Sequence, residues 1–566
     1  MTALNLHERA HIWRLASGRA SRVAMARALG SPLLRWRYGA ALAEEIVLVP
    51  QELRSADASF ADELAAGQMG LAGQLVHIGK GAPFELTQRN AVWARELQGF
   101  AWLRHLRAAG TPEAAATARA FVGQWIARGQ GRDRLAREPA VRARRMISWL
   151  ANSDMLLSDV DQGTFDRTAQ SLGDQLIALS SAWRTAPDGY PRLLALTGLV
   201  YGDLCIAGHD RHLAQSERRL GAELTRQILP DGGHISRNTG VLVEIMLDLL
   251  PLRQCFATAK RALPAAIEAA MARIMPMLRY MRLGDSSLAR FNGVGASPVA
   301  ELAAILAYDT AQPNRITAAP QSGYARLEQG GCVVIADAGP APPLTLGAQA
   351  MAGCLSFEMS AGGTAMVVNG GFPMAADEKH IAAARATASH NTLAFGGQSS
   401  ARRLVNRRLE RLAGGVPLAL SGAVTSSLAH SENGDELGIS HSGYVGEHGL
   451  VHRRRLVLNK EGTKLEGSDR LGGVNRSVRL PRDVPFTIHF HVAPRVTCER
   501  TAEAEAVLRL RDGTQWRFAA EGAEVSIEPS VHYADPSGPA RALQIVLRGS
   551  CWGDLDVRWS FEKIVA

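Results

Sequence analysis

The sequence predicts two domains of different class, a helical one first and an antiparallel β one after it. Three observations carry this. Before about residue 320 apolar residues recur at helical spacing, and beyond it short period-two segments alternate with glycine turns. Between them, 312–323 is rich in Pro, Gln, Asn and Gly and reads as a linker. A helical run followed by a strand run folds as two separately packed layers, and 566 residues suffice for both cores.

In the first half Trp93, Leu97, Phe100 and Leu103 are spaced to share one helix face. Similar patterns predict helices over 113–127, 141–157, 164–183, 191–208, 212–229, 241–250, 264–283 and 298–308. Breakers at Gly110-Thr-Pro112, Pro187-Asp-Gly189 and Pro230-Asp-Gly-Gly233 separate them. Many paired helices of this length suggest a helical solenoid or a closed α/α toroid. In the second half strands are expected at 332–336, 355–359, 365–368, 392–395, 454–459, 487–492, 506–510, 516–519 and 543–547, the pattern of an antiparallel sandwich. The expected domains are 1–85, a basic amphipathic lead-in, 86–315, the helical domain, and 320–566, the β-sandwich.

Net charge is +9, and 57 of the 63 cations are arginine, the residue suited to bidentate contact with carboxylate or sulfate. Short clusters stand at 142–145, 402–411 and 453–455. No zinc finger or aromatic RNA-binding motif accompanies them, so an acidic substrate is expected as partner and nucleic acid is not. The six cysteines form no CxxC pair and read as scattered buried thiols. No apolar run is long enough to span a membrane, and no secretory leader is recognisable. Cell envelope and cytoplasm are thus both open as locations. Near the start, Arg14, Arg19, Arg22 and Arg27 interleave with Ile12, Leu15, Val23 and Leu29, a helix that either packs on the core or touches a membrane surface.

The most informative stretch is Asp231-Gly-Gly-His-Ile-Ser-Arg-Asn238. Two glycines break a helical region, and a histidine, an arginine and an asparagine follow at once. Two readings stand: a helix–helix turn with capping side chains, or a helix mouth that hydrogen-bonds an anion.

Together with this stretch, several motifs in order resemble the heparinase II/III-like polysaccharide lyases, in the bacterial branch with the DGGHxSRN pattern. They are Leu97-Gln-Gly-Phe-Ala-Trp-Leu-Arg-His-Leu-Arg107, Arg144-Arg-Met-Ile-Ser-Trp-Leu150, Gly284-Asp285 with Phe291-Asn-Gly293, Leu355-Ser-Phe-Glu358, Ser389-His-Asn-Thr-Leu393 and Gln544-Ile-Val-Leu547. The resemblance implies an incomplete α/α toroid, a β-sandwich, and β-elimination on a uronate-bearing glycan. That chemistry needs the uronate carboxylate neutralised, a base for the C5 proton and an acid for the leaving oxygen. It implies Asn238, with Arg237 or His234, as carboxylate neutraliser and His390 as the contributor from the second domain, the two meeting in a cleft. Tyr280 is the expected acid or base, and Asp285, Gln349 and Asn391 are expected to contact substrate.

The chain also departs from the family. Thr239-Gly-Val-Leu-Val-Glu244 has no tyrosine where many relatives place one. Gln349-Ala-Met351 stands for the family's His-x-His, and Asn369 in Val367-Val-Asn-Gly-Gly371 for an Asp ligand. Of the implied zinc ligands only His390 remains, too few for zinc, so no metal or other cofactor is expected. His489 and His491, which share a strand face, and His441, His448 and His452 are expected to be structural. Three functions follow: a lyase, a non-catalytic glycan-binding relative, or a hydrolase using Asp231 and Asp285. A lyase releases an ultraviolet-absorbing unsaturated uronate, a hydrolase only new reducing ends, and a binder neither.

Overall fold

The computed structural model describes the chain apart from residues 1–5, 30–44, 80, 82, 87–89, 130–132, 310–315, 348, 375–377, 402–421, 475–482 and 565–566. The arginine cluster at 402–411 and part of the linker lie outside the described residues. Contacts divide the chain into two units. One comprises Met1–Ile228, Val243–Ala272 and Ala300–Thr310, and the other Leu229–Leu242, Arg273–Val299 and Ala311–Ala566. The division does not follow a single point near 320. The stretches 229–242 and 273–299 group with the strands, to which Arg237 and Gly284 are hydrogen-bonded.

The first unit is an α/α toroid. Its helices include Ala91–Gly99, Leu103–Ala109, Pro112–Ala127, Pro139–Ala151, Gln162–Ala182, Tyr190–Cys205 and Asp210–Gln227. Starts are set by caps: Asn90 accepts from the amides of Val92 and Trp93, and Thr111 caps a helix with Pro112 in its first turn. The expected single helix through Trp93 and Leu103 is broken. Phe100 adopts a left-handed backbone, φ 58°, and turns its ring into a cluster with Trp102, Trp125 and Trp149. Burial of that aromatic surface outweighs helix continuity. Arg145 is buried against it, 4.2 Å over Trp125, and bonds Gln175 and the carbonyls of Gln98 and Ala136. The basic helix Leu6–Leu29 leaves Trp13, Val23 and Met25 exposed, while Ile12 is buried. No helix among the described residues is long and apolar enough to cross a membrane. A hairpin, β1 (Gln68–Leu71) and β2 (Gln74–His77), was not expected in this half.

The second unit is a β-sandwich. One sheet runs β16 (Glu524–His532), β17 (Ala540–Cys551), β12 (Val484–Val492), β6 (Thr364–Val367), β5 (Phe357–Ala361), β4 (Cys332–Asp337) and β3 (Tyr324–Gln329), with β7 (Leu393–Phe395) paired to β12. The other runs β13 (Thr497–Ala502), β14 (Glu505–Arg509), β15 (Gln515–Glu521), β18 (Leu555–Ile564), β11 (Lys464–Gly473), β10 (Leu450–Asn459), β9 (Gly434–His441) and β8 (Val424–Ser431). All pairings are antiparallel, and inward residues of both sheets form one core. Phe357 stacks on Trp559 at 5.4 Å, and Gly467 leaves room for the Trp559 ring, which a Cβ there would meet at 2.1 Å.

A buried polar chain crosses this core. The Gly443 amide donates to His441, His441 Nε2 to His452 Nδ1 at 3.2 Å, and His452 Nε2 to Asp469 at 2.7 Å. Asp469 also accepts from Arg454 and Trp559, and Arg454 continues to the carbonyl of Leu355 in the turn before β5. Satisfied at every step, His441 and His452 pair across β9 and β10 and tie the core together.

Candidate functional site

All eight candidate residues lie in the strand-bearing unit: His234, Arg237, Asn238, Tyr280, Asp285, Gln349, His390 and Asn391. The loop carrying the first three is held in place by its glycines and its acid. A Cβ on Gly232, which has φ +90°, would sit 2.0 Å from the Arg273 carbonyl, and one on Gly233 would sit 1.9 Å from Ser322 Oγ. Asp231 accepts from the Ser322 amide at 2.7 Å and from its hydroxyl at 2.6 Å. The glycines therefore serve close backbone packing, and Asp231 is a fastener.

Arg237 does not fit the expected carboxylate role. Its φ of 59° turns the side chain inward. Nε donates to Ser322 O, Nη1 to Gly339 O and Pro340 O, and Nη2 to Gly323 O and to Asp337 Oδ1 at 2.6 Å. A guanidinium has five N–H groups, and these contacts use all five. It also lies 4.8 Å over the ring of Tyr324, whose hydroxyl donates to the Arg237 carbonyl. Burial pushes the Asp337 carboxyl up, against the pull of Arg237. Arg237 is thus a strut that presents its neighbours. Asp337 and Ser322, its partners, were not singled out in the sequence. An acid closing the apolar run of β4 was the available signal.

Asn238 is held by two contacts. Its Oδ1 accepts from Gly240 N at 2.9 Å, and its Nδ2 donates to Gln349 Oε1 at 3.0 Å. Gln349 is exposed. Two residues on, Met351 Sδ lies 3.4 Å from His390 Nε2. The residues standing for the family's His-x-His therefore each meet one candidate: Gln349 meets Asn238, and Met351 meets His390. This segment draws the two halves of the candidate site together. His390 is buried, its Nδ1 bonded to Ala386 O at 2.8 Å and its ring against Gly353. Burial lowers its pKa to about 4, so the imidazole is neutral at neutral pH. His234 is buried beside Ser236, which contacts its Nδ1 at 2.6 Å.

The other candidates sit apart from ligand chemistry. The Tyr280 hydroxyl reaches the Tyr324 carbonyl at 3.4 Å, and burial pushes its pKa up to about 12. Asp285 accepts from the amide and hydroxyl of Ser287, closing a local turn. Asn391 is enclosed: it donates to Phe357 O and accepts from the His491 amide, so its expected substrate contact gives way to a structural one. His489 and His491 stack at 6.0 Å and bond Gln544, Thr487, Ser530 and the Ala388 carbonyl.

The donor set near His390 does not fit zinc. It is one imidazole, the Met351 thioether and Asn369, whose amide side chain accepts from Asn391 N and reaches Arg290 O. Among the described residues no group of three or more His, Cys, Asp or Glu could hold a metal ion. Nearby, Glu358 is buried with Arg290 Nη1 3.4 Å away and has its pKa raised by burial to about 7. This pair was not anticipated either.

Residues 311–560 match the heparinase II/III-like C-terminal family. A curated relative, FtsZ-localized protein C of Caulobacter vibrioides, is 29% identical over 532 residues, covering 91% of this chain and 89% of the relative. The fold resembles that of heparinase III, with TM-score 0.70 at 11% identity over 99% of this chain and 92% of that one. It also resembles a heparan sulfate lyase HepC mutant from Pedobacter heparinus, with TM-score 0.59 at 14% identity over 98% and 88%. At such identities the likeness is one of fold alone. Over residues 311–560, the chain is thus similar in sequence to the heparinase II/III-like C-terminal family.

Proposed function

We propose that this chain binds a uronic-acid-bearing polysaccharide on a polysaccharide-lyase scaffold and holds it without cleaving it. One observation carries the reading: the segment joining Asn238 to His390 offers an amide and a thioether, Gln349 and Met351. Neither takes up a proton near neutral pH, and β-elimination needs a base at C5. The paired amides of Asn238 and Gln349 suit a carboxylate or sugar hydroxyls. Arg237 sets the loop that presents Asn238, and the contacts of Asp231 with Ser322 disfavour the hydrolase reading.

The second reading is a lyase. The neutral imidazole of His390 favours it, because only the neutral form can serve as base. Incubation with heparan sulfate and with polygalacturonate separates the two readings. Binding without growth of unsaturated-uronate absorbance is expected, and turnover of that absorbance would establish the lyase. The name of the Caulobacter relative adds a location: a fluorescent fusion of this chain is expected to gather with FtsZ. The exposed Trp13, Val23 and Met25 of the basic first helix suit peripheral contact with an anionic membrane.

A further inference from the structure

Far along the chain from the candidate site, the outward face of the sheet containing β9, β10, β11 and β18 forms an open depression of about 960 Å³. Clefts of about 300–1,000 Å³ hold drug-sized ligands, and this one is open at its edges so that a longer chain can cross it. Its floor is made of small hydroxylated or bare positions, among them Ser427, Gly438, Ser440, Ser468 and Ser560. Four arginines, Arg453, Arg455, Arg470 and Arg558, border it.

The strand register fixes their arrangement. Arg455 pairs with Ser468, and Ser468 pairs on its other side with Arg558. Arg470 lies two residues along β11 from Ser468 and is directly opposite Arg453. Four guanidiniums therefore surround Ser468, while Glu466, two residues the other way along β11, is paired with Lys464 at 2.7 Å. Two of them are partly neutralised, Arg455 by Glu436 at 2.6 Å and Arg470 by Asp556 at 3.0 Å. Arg453 and Arg558 are exposed and form no ion pair with any described residue, although Arg558 is registered beside Glu521. Like charges directly opposite on a sheet face repel, and Asp556 offsets only part of the Arg453–Arg470 repulsion, so a further anion over the pair would relieve the rest. The inward alternation removes Arg454 from this set, since it bonds Asp469 in the core.

We propose that this face is a second binding surface for an acidic glycan, with a carboxylate or sulfate seated over Ser468 between Arg453, Arg455, Arg470 and Arg558. Guanidiniums match either group bidentately, and a serine floor suits hydroxylated sugars better than apolar peptide side chains. The ligand class rests on the glycan reading above, but the surface does not depend on the Asn238 site.

The test uses the full chain and a heparan sulfate octasaccharide, followed by hydrogen exchange and calorimetry. Protection of β10 and β11 on binding is expected. Arg453→Ser with Arg558→Ser should remove that protection and weaken this binding at least about tenfold, each lost charge-assisted contact being worth on the order of tenfold. The same variant should leave the unfolding midpoint unchanged or raised. Ser468→Glu, which places a carboxylate in the centre, should do the same and guards against misfolding of the double variant. Asn238→Leu should leave the protection of β10 and β11 intact while weakening the first site, which separates failure of either proposal. Protection absent in the parent chain, or unchanged in both surface variants, would overturn the proposal. So would equal protection by a poly-glutamate peptide, which would mark a surface for acidic proteins.

Discussion

Replacing Arg237 by alanine tests whether it is a strut or a ligand clamp. The substitution strands Asp337 in a site where its other contacts are long, Asn292 Nδ2 and Gly339 N, both at 3.4 Å. It also deprives four carbonyls, those of Ser322, Gly323, Gly339 and Pro340, of a donor. Removing one partner of a buried ion pair costs about 3–5 kcal/mol. The Gly323 carbonyl keeps the Ala338 amide as donor; each carbonyl left without one adds about 1 kcal/mol, and water entering the vacated volume offsets part of that. A net loss of about 3–5 kcal/mol is therefore expected, read as a lowered urea midpoint at unchanged slope. Arg237→Lys should fall between, because an ammonium restores the charge but has three donors for five acceptors. Arg237→Ala with Asp337→Asn should recover part of the loss, because the uncompensated charge is gone. A parent-like midpoint together with lost glycan binding would refute the strut and restore Arg237 as a clamp.

Other outcomes can be checked alongside. Gln349→Ala should weaken binding of an acidic oligosaccharide with little change in stability, as measured by calorimetry, because Gln349 is exposed and its side chain's one hydrogen-bond partner among the described residues is Asn238 Nδ2. Stability should fall with acid in a set window. Burial lowers His390 and His532 to about 4 and His491 to about 3, below the unfolded value of about 6.5. The unfolded chain thus takes up protons first, so stability is full above about pH 6.5 and is lost as pH falls towards 3–4. His390 alone accounts for something on the order of 3 kcal/mol, and a denaturation series across pH would show a flat profile if the cluster contributes nothing. Met351→His with Asn369→Asp should create zinc affinity measurable by metal analysis. Zinc–nitrogen bonds of about 2.0–2.1 Å put two tetrahedral ligands roughly 3.4 Å apart, the spacing of Met351 Sδ from His390 Nε2.

The fold was largely legible because both periodicities are strong. Expected helices at 113–127, 191–208 and 212–229 correspond to Pro112–Ala127, Tyr190–Cys205 and Asp210–Gln227. Strands such as β8 and β11 were not among those expected, since they carry mostly Ser, Gly and charged residues outward and few β-branched ones. The candidate site was legible in part. The importance of 231–238 could be read, yet its internal division of labour could not. Nothing local distinguishes an arginine whose fork is filled by carbonyls about 85–100 residues away from one that waits for a ligand. Likewise Asn391 and His390 are adjacent, but one is locked by backbone partners from two strands and the other rests on a thioether.

The replacements around His390 fit one another physically. Losing one zinc ligand alone would leave the imidazole Nε2 facing nothing in a buried place, and an aspartate at 369 would be a buried charge without its metal, both costly. Here the soft sulfur of Met351 meets the imidazole, and Asn369 accepts from Asn391 N while its amide reaches Arg290 O. The result is a neutral, satisfied centre that preserves the position of the 349–353 segment and hence of the Gln349 contact with Asn238. A site damaged at random would leave a stranded charge at this point. One adapted to bind would keep the shape and drop the proton chemistry, so the pairing of Met351 with His390 and of Asn369 with Asn391 supports the proposed binding reading.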